Sequence, residues 1–175
     1  MYKIGIIGHS PEHFGAEEAY VRRVLGRTID SLGFQYGESD VVFNIVGDIG
    51  VGLWSAEECL DREYKFHLFL PYPVEETSQH WYDSQKDHLR KCYGRAFSIT
   101  TCYQDTSWTD RSYELLVDDS NFIVCFWTGR GDGKTYDAIK YALHKNKLAL
   151  SGFDDLKLVT NEILKRKDFK WNEKK

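Results

Sequence analysis

Short apolar runs rich in β-branched residues alternate with helical stripes along nearly the whole chain. This alternation constrains the fold more than any single motif. "YKIGIIG" (Tyr2–Gly8), "VVFNIVG" (Val41–Gly47), "KFHLFLPY" and "NFIVCFW" are apolar at successive positions, the pattern of strands buried on both faces. Between the first two runs, Val21, Val24, Leu25, Ile29 and Leu32 recur at helical spacing. Glu17 and Glu18 stand early in that helix and Arg22, Arg23 and Arg27 later, as the helix dipole favours, with Gly33 as the expected stop. Further helices are expected from about Ser55 to Tyr64, over "WYDSQKDHLRKCY", over "TDRSYELLVDDS" with Thr109 or Asp110 as its cap, and over "KTYDAIKYALHKNK". "RAFSITT" reads as a weaker strand and "LALSGF" as a closing one, followed by a charged terminal helix. The expected architecture is a single Rossmann-like, three-layer α/β domain over residues 1–152. Its sheet of five to six strands is mainly parallel, with helices on both faces, and residues 153–175 form a charged helix or tail.

Composition narrows the function classes. A chain of 175 residues with 42% apolar content has enough material for one sizeable core. The formal charge of −4 gives no general attraction to nucleic acid and speaks against it as a partner. "KRKDFKWNEKK" (Lys165–Lys175) carries six basic and two acidic residues, +4 within a chain of −4, and reads as a solvated helix end or a contact for phosphates or a partner. Cys59, Cys92, Cys102 and Cys125 have none of the close spacings of a zinc site, so no metal is expected. The apolar run at the N-terminus is too short for a signal peptide, and no stretch approaches the ~18 apolar residues of a membrane span. A reduced, cytoplasmic setting is expected, without a membrane partner. The RGD tripeptide inside "GRGDGKT" then has no extracellular receptor to meet.

In a parallel sheet of this kind, ligands bind outside the carboxyl ends of the strands. Four loops reach that edge: "GHSPEHFG", "GDIGVG", "PYPVEE" and "TGRGDGKT". The last ends like a triphosphate-binding loop, but Thr128 stands where that pattern requires its first glycine. Its physics still suits phosphate. Gly129, Gly131 and Gly133 let backbone approach a ligand, the next helix presents its positive end, Lys134 adds a charge and Thr135 a hydroxyl. In the second loop Gly47, Gly50 and Gly52 are expected to make room for a ligand at a helix start, beside Asp48, although the spacing is not that of a dinucleotide fingerprint. Gly8, His9 and Ser10 form the first loop, with His9 either a donor to ligand or a cap. Trp54 and Trp127 each adjoin a glycine loop and offer a ring to a base or to the core, and Arg111 offers a charge to phosphate or to a surface ion pair. His9 and His13 lie on a loop containing Pro11, which gives no zinc-binding helix. His80 and His88 fall eight apart, on one helical face, and Asp118 and Asp119 precede a strand, where capping or solvation suits them.

Taken as a series, these segments resemble the SLOG superfamily and, within it, the YpsA-like branch. "GHSPEHFG" looks like that branch's G-H-R-P turn, with Ser10 in place of arginine. "VGDIGVGLWSAEECLD" is similar to the family's glycine loop and "AE" helix, and "RSYELLVDDSNFIVCFWTG" to its Arg…Asp segment before a strand. "GKTYDAIKYALHKNKLAL" parallels its G-G-T loop, with Lys134 where glycine is usual. The resemblance covers most of residues 2–152 and implies a Rossmann-like domain that binds nucleotides or nucleotide-derived ligands such as ADP-ribose or NAD derivatives. Relatives also include the lysine decarboxylase-like (LOG) phosphoribohydrolases that activate cytokinins, and nucleoside deoxyribosyltransferases, which cleave or exchange N-glycosidic bonds. DNA-uptake proteins without that chemistry belong to the group as well.

Two functions follow as expectations. The first is a binding module that senses or sequesters a nucleotide-like ligand through the two glycine loops, with no cofactor and with a homo-oligomer left open. The second is an N-glycosidase using a carboxylate, for which Glu57 of the "AE" helix and Asp137 are the candidates. Ala138 stands where the transferases' helix glutamate falls, and the phosphoribohydrolase motif P-G-G-x-G-T-x-x-E is absent. An adaptor acting through the basic tail is a third reading.

Overall fold

The computed structural model describes residues 1–102 and 111–165. Thr109 and Asp110, expected as a helix cap, and residues 166–175 of the basic tail lie outside them. The described chain forms strands β1 (Tyr2–Gly8), β2 (Val41–Val46), β3 (Lys65–Leu70), β4 (Ser98–Thr101), β5 (Phe122–Phe126), β6 (Ala149–Ser151) and β7 (Lys157–Leu158). They alternate with helices α1 (Glu18–Tyr36), α2 (Val51–Asp61), α3 (Val74–Thr77), α4 (Asp83–Arg95), α5 (Ser112–Asp119), α6 (Gly133–His144) and α7 (Asn161–Leu164). A single 3-10 turn, Pro11–His13, follows β1. No described helix is long and apolar enough to cross a membrane.

The strands make one sheet in the order β4-β3-β2-β1-β5-β6-β7. All pairs are parallel except β6–β7, which is antiparallel. The count is seven rather than the expected five to six. The extra strand is the exposed two-residue β7, whose charged surroundings carry no strand pattern.

Alternation along each strand divides the core. Ile4, Ile6, Phe43, Ile45, Phe66 and Leu68 face one layer of helices, where Val21, Leu25, Ile29 and Leu32 of α1 meet Leu53 and Ala56 of α2 and Leu89 of α4. Each fully buried aliphatic side chain contributes about 1.5–3 kcal/mol of transfer free energy, so the α1 stripe alone anchors that helix firmly. Ile7, Val46, Phe69, Ile123 and Cys125 face the other layer, with Leu116 and Val117 of α5 and Ile139 and Ala142 of α6. Lys147 closes the end of α5, its Nζ donating to the carbonyls of Val117 (2.8 Å) and Asp118 (2.7 Å). Asn44, fully buried on β2, donates to Ser120 Oγ (3.0 Å) and Asp119 Oδ2 (3.2 Å), and Lys3 pairs with Asp119 at 2.9 Å. Asp118 and Asp119 therefore belong to the helix end and sheet.

Helix boundaries differ from the sequence reading for steric reasons. α1 does not stop at Gly33. It runs on to Tyr36 and ends at Gly37, whose φ of +90° takes the chain out of the helix. A Cβ at Gly33 would lie 2.2 Å from the hydroxyl of Tyr64, a residue that is only 8% exposed and has little room to move. Gly33 is thus a contact residue inside the helix. α2 begins at Val51, four residues before the expected Ser55, because the second glycine loop is itself the start of the helix.

An unobstructed glycine inside a helix and a contact glycine respond oppositely to alanine. Gly33→Ala is expected to destabilise the protein by about 1–3 kcal/mol in urea unfolding through overpacking against Tyr64. A gain of about 0.5–1 kcal/mol, the usual result for alanine in an unobstructed helix, would contradict the contact role.

Candidate anion-binding site

The sheet order reverses direction on either side of β1. The chain leaves β1 toward β2 on one side, and β5 and β6 are added on the other, so the loops after β1 and β5 part and leave a crevice at their carboxyl ends. A chamber of about 170 Å³ occupies this place. Gly8, His9, Ser10 and His13 line it from the first loop, and Asp48 from the loop after β2. Arg130, Asp132, Gly133, Lys134 and Thr135 close it from the loop after β5, with Tyr113 of α5 alongside.

The start of α6 faces the chamber without a side-chain cap. Gly129 and Gly133 take φ of +91° and +92°, turning the chain out of β5 and into the helix. Trp127 is buried, and its Nε1 donates to the Arg130 carbonyl at 2.7 Å, which fixes the loop between them. Asp132 holds the N-cap position in an extended conformation, but its carboxylate makes no bond to the first turn and instead pairs with Arg130. A helix whose first-turn amides lack such a cap presents the positive end of its dipole to whatever enters the chamber. Lys134 stands at this end with its side chain 61% exposed, 4.0 Å from Asp48 Oδ2. Asp48 also accepts from the Tyr113 hydroxyl at 2.9 Å. A solvent-exposed pair at that distance is worth well under about 1 kcal/mol, so the Asp48 contact by itself holds Lys134 only weakly.

The other glycine loop is built for a different purpose. Val51 N–H donates to the His9 carbonyl (3.2 Å) and Leu53 N–H to the Asp48 carbonyl (2.9 Å), so these two amides at the start of α2 are taken by protein. A Cβ at Gly50 would lie 2.5 Å from the His9 carbonyl, at Gly52 2.1 Å from the Val46 carbonyl and at Gly47 2.4 Å from Leu70. The space expected for ligand at Gly47, Gly50 and Gly52 is filled by neighbouring backbone and side chains. These glycines press α2 against β1 and β2, and within the loop only Asp48 reaches the chamber.

His9 is 5% exposed, and its Nε2 accepts from the backbone N–H of Thr128 at 3.1 Å. A backbone amide can only donate, so Nε2 carries no proton and the ring proton sits on Nδ1. Burial, followed by the positive neighbours His13 and Arg130, depresses the pKa from the ordinary 6.5 to about 4, against the opposing pull of Asp132 and Glu12. His9 is therefore a neutral imidazole at physiological pH and joins the first loop to the loop after β5.

Of the remaining residues singled out in the sequence, several stand elsewhere. Glu57 lies on α2 and pairs with Arg22 (2.9 Å) and His88 (2.6 Å), in a charged seam between α1, α2 and α4. Asp137 is exposed on α6 and does not line the chamber. Trp54 is 6% exposed and packs on Phe14, ring centroids 6.2 Å apart. Arg111 pairs with Glu114 at 3.4 Å at the start of α5, and Gly129 and Gly131 shape the loop without lining the chamber. His80 lies in the segment before α4, not on one helical face with His88. Tyr113 and Arg130, neither singled out in the sequence, also enter the chamber, Arg130 from within the glycine loop. Among the described residues no cluster of metal-ligating side chains forms.

No family model matches the sequence, and no curated protein does. Solved structures do show a likeness. DNA processing protein A (DprA) from Streptococcus pneumoniae superposes with a TM-score of 0.57 over 86% of this chain at 10% identity. TM1055, a structural-genomics target, superposes with a TM-score of 0.53 over 85% of this chain at 15% identity. The chain spans 50% of the first of these and 72% of the second. At such identities the shared property is the fold, a Rossmann-like three-layer α/β domain.

The buried neutral histidine gives stability a pH dependence of known sign. Below pH 6.5 the unfolded chain takes up a proton at His9 that the folded chain refuses until about pH 4, so stability is full above pH 6.5 and is lost as the pH falls toward 4. That depression corresponds to roughly 3 kcal/mol at most. His67, whose pKa burial also lowers, adds a change of the same sign. Urea unfolding at pH 7 and pH 4.5 is expected to show the loss, and His9→Gln to reduce it. An identical loss in the two proteins would contradict the assignment.

Proposed function

We propose that this protein is a SLOG-type domain that binds a nucleotide or nucleotide-derived ligand, ADP-ribose and NAD derivatives being the class the YpsA-like resemblance suggests. Its role is to sense or sequester that ligand. The observation that carries the reading is the uncapped start of α6, placed in the crevice between β1 and β5 with Lys134 and Thr135 in its first turn. The neutral His9 supports it, because an uncharged donor at the chamber wall keeps the same form across physiological pH. Fold likeness to DNA processing protein A and TM1055 agrees with a SLOG-type domain.

A binding role is preferred to N-glycosidic cleavage on the position of the carboxylates. Glu57 is held by Arg22 and His88 in the seam between helices, and Asp137 does not line the chamber. The acids that do line the chamber are engaged, Asp48 by Tyr113 and Lys134 and Asp132 by Arg130. The net charge of −4 gives no support to a nucleic-acid partner.

Calorimetric titration with ADP-ribose and with inorganic pyrophosphate tests this reading. Both are expected to bind, and Lys134→Ala to weaken both by about 10- to 100-fold, the usual effect of losing a charge-assisted hydrogen bond. Absence of binding by either compound, or affinity unchanged in Lys134→Ala, would overturn it. Release of free base or nicotinamide during incubation with NAD would replace the binding module by the glycosidase.

A further inference from the structure

The anion chamber is too small to hold a whole nucleotide. Its volume of about 170 Å³ falls below the roughly 300–1,000 Å³ of ordinary small-molecule sites. A second cavity of about 380 Å³ adjoins it over the carboxyl ends of β2 and β3, and the two share Asp48 and Lys134 as a common wall. A ligand anchored at the start of α6 can therefore extend across this wall without leaving the protein.

The second cavity has a lining of another kind. Val46, Pro71, Tyr72 and Trp81 supply apolar and aromatic surface, while Glu76, Gln79 and His80 add hydrogen-bonding groups at its rim. Its wall is held in place. The Thr77 hydroxyl donates to the Tyr72 carbonyl (2.7 Å) and accepts from the Tyr72 N–H (3.3 Å), and the Trp81 N–H donates to the Ser78 carbonyl (2.9 Å). The two tryptophans beside the glycine loops do not reach a ligand, since Trp54 is 6% and Trp127 4% exposed. Trp81 is half-buried and lines the cavity, so among the described tryptophans it is the one that offers part of its ring to the edge of the sheet.

We propose that this second cavity is the base subsite for a nucleoside 5′-phosphate. The phosphate occupies the chamber at the start of α6, the ribose lies at the Asp48–Lys134 wall, and the base packs against Trp81 and Tyr72. The assignment rests on the anion-binding reading above and adds to it the location and chemistry of the uncharged half of the ligand. Asp48 supplies a carboxylate acceptor where ribose hydroxyls pass, and Lys134 remains on the phosphate side. An aromatic base gains from a ring surface whichever base it is, whereas a sugar phosphate gains nothing there.

Three probes separate the two levels of the claim: inorganic phosphate, ribose 5-phosphate and adenosine 5′-phosphate, titrated into the intact protein. Adenosine 5′-phosphate is expected to bind at least about tenfold more tightly than ribose 5-phosphate. In Trp81→Ala that advantage is expected to vanish, with ribose 5-phosphate affinity unchanged. Because Trp81 packs partly against the core, the unaltered protein provides a second readout. The Trp81 indole N–H resonance is expected to move with adenosine 5′-phosphate and to stay still with inorganic phosphate. Equal affinity for the ribose and adenosine compounds, or an indole signal unmoved by the nucleotide, would overturn the base subsite and leave the anion chamber standing. Failure of all three probes to bind would overturn both.

Discussion

Parallel pairing of β1 with two neighbours at once, β2 and β5, is the constraint from which the rest of the structure follows. A strand with parallel partners on both sides must be reached by crossovers, and here the crossovers lie on opposite faces: α1 and α2 on one, α5 and α6 on the other. The loops that leave β1 and β5 consequently diverge, and the crevice between them lies at the ends of buried strands. His9 then joins the two loops across that gap through the Thr128 amide.

The two strand-to-helix junctions look alike as strings of glycine, yet they do opposite things. At α2 every glycine is spent on close packing, and the Val51 and Leu53 amides of the helix start donate to the carbonyls of His9 and Asp48. At α6 a Cβ added to Gly131 or Gly133 would meet no atom within 4 Å among the described residues beyond its chain neighbours and the helix's own backbone, and the N-cap carboxylate pairs with Arg130. A glycine that leaves space and a glycine whose space is taken are chemically identical in sequence. The distinction arises only when β3 and the first loop fold around the junction, because Leu70 and His9 come from elsewhere in the chain.

That difference marks how far the sequence could be read. The strands β1, β2, β3 and β5 were legible because burial on both faces demands unbroken apolar runs, and so were the main helices, from their stripes. The edge strand β7 was not, since two exposed residues carry no pattern. In the site, Gly8, His9, Ser10, Asp48, Gly133, Lys134 and Thr135 were legible from their place in loops at the carboxyl edge, and all line the chamber. Glu57 was drawn in by its neighbourhood in sequence, but helical geometry turns it toward Arg22 and His88. Tyr113, and the cavity that brings the Pro71–Trp81 segment against Asp48 and Lys134, depend on long-range packing, which no local spacing encodes.

The central claim is that α6, and not α2, receives an anion. Backbone amide resonances followed during titration with inorganic pyrophosphate test it most directly, since each helix start reports separately. Binding at α6 predicts saturable shifts at Gly133, Lys134 and Thr135, with Val51, Gly52 and Leu53 left in place. Shifts at the α2 amides, or none at either helix, would contradict it.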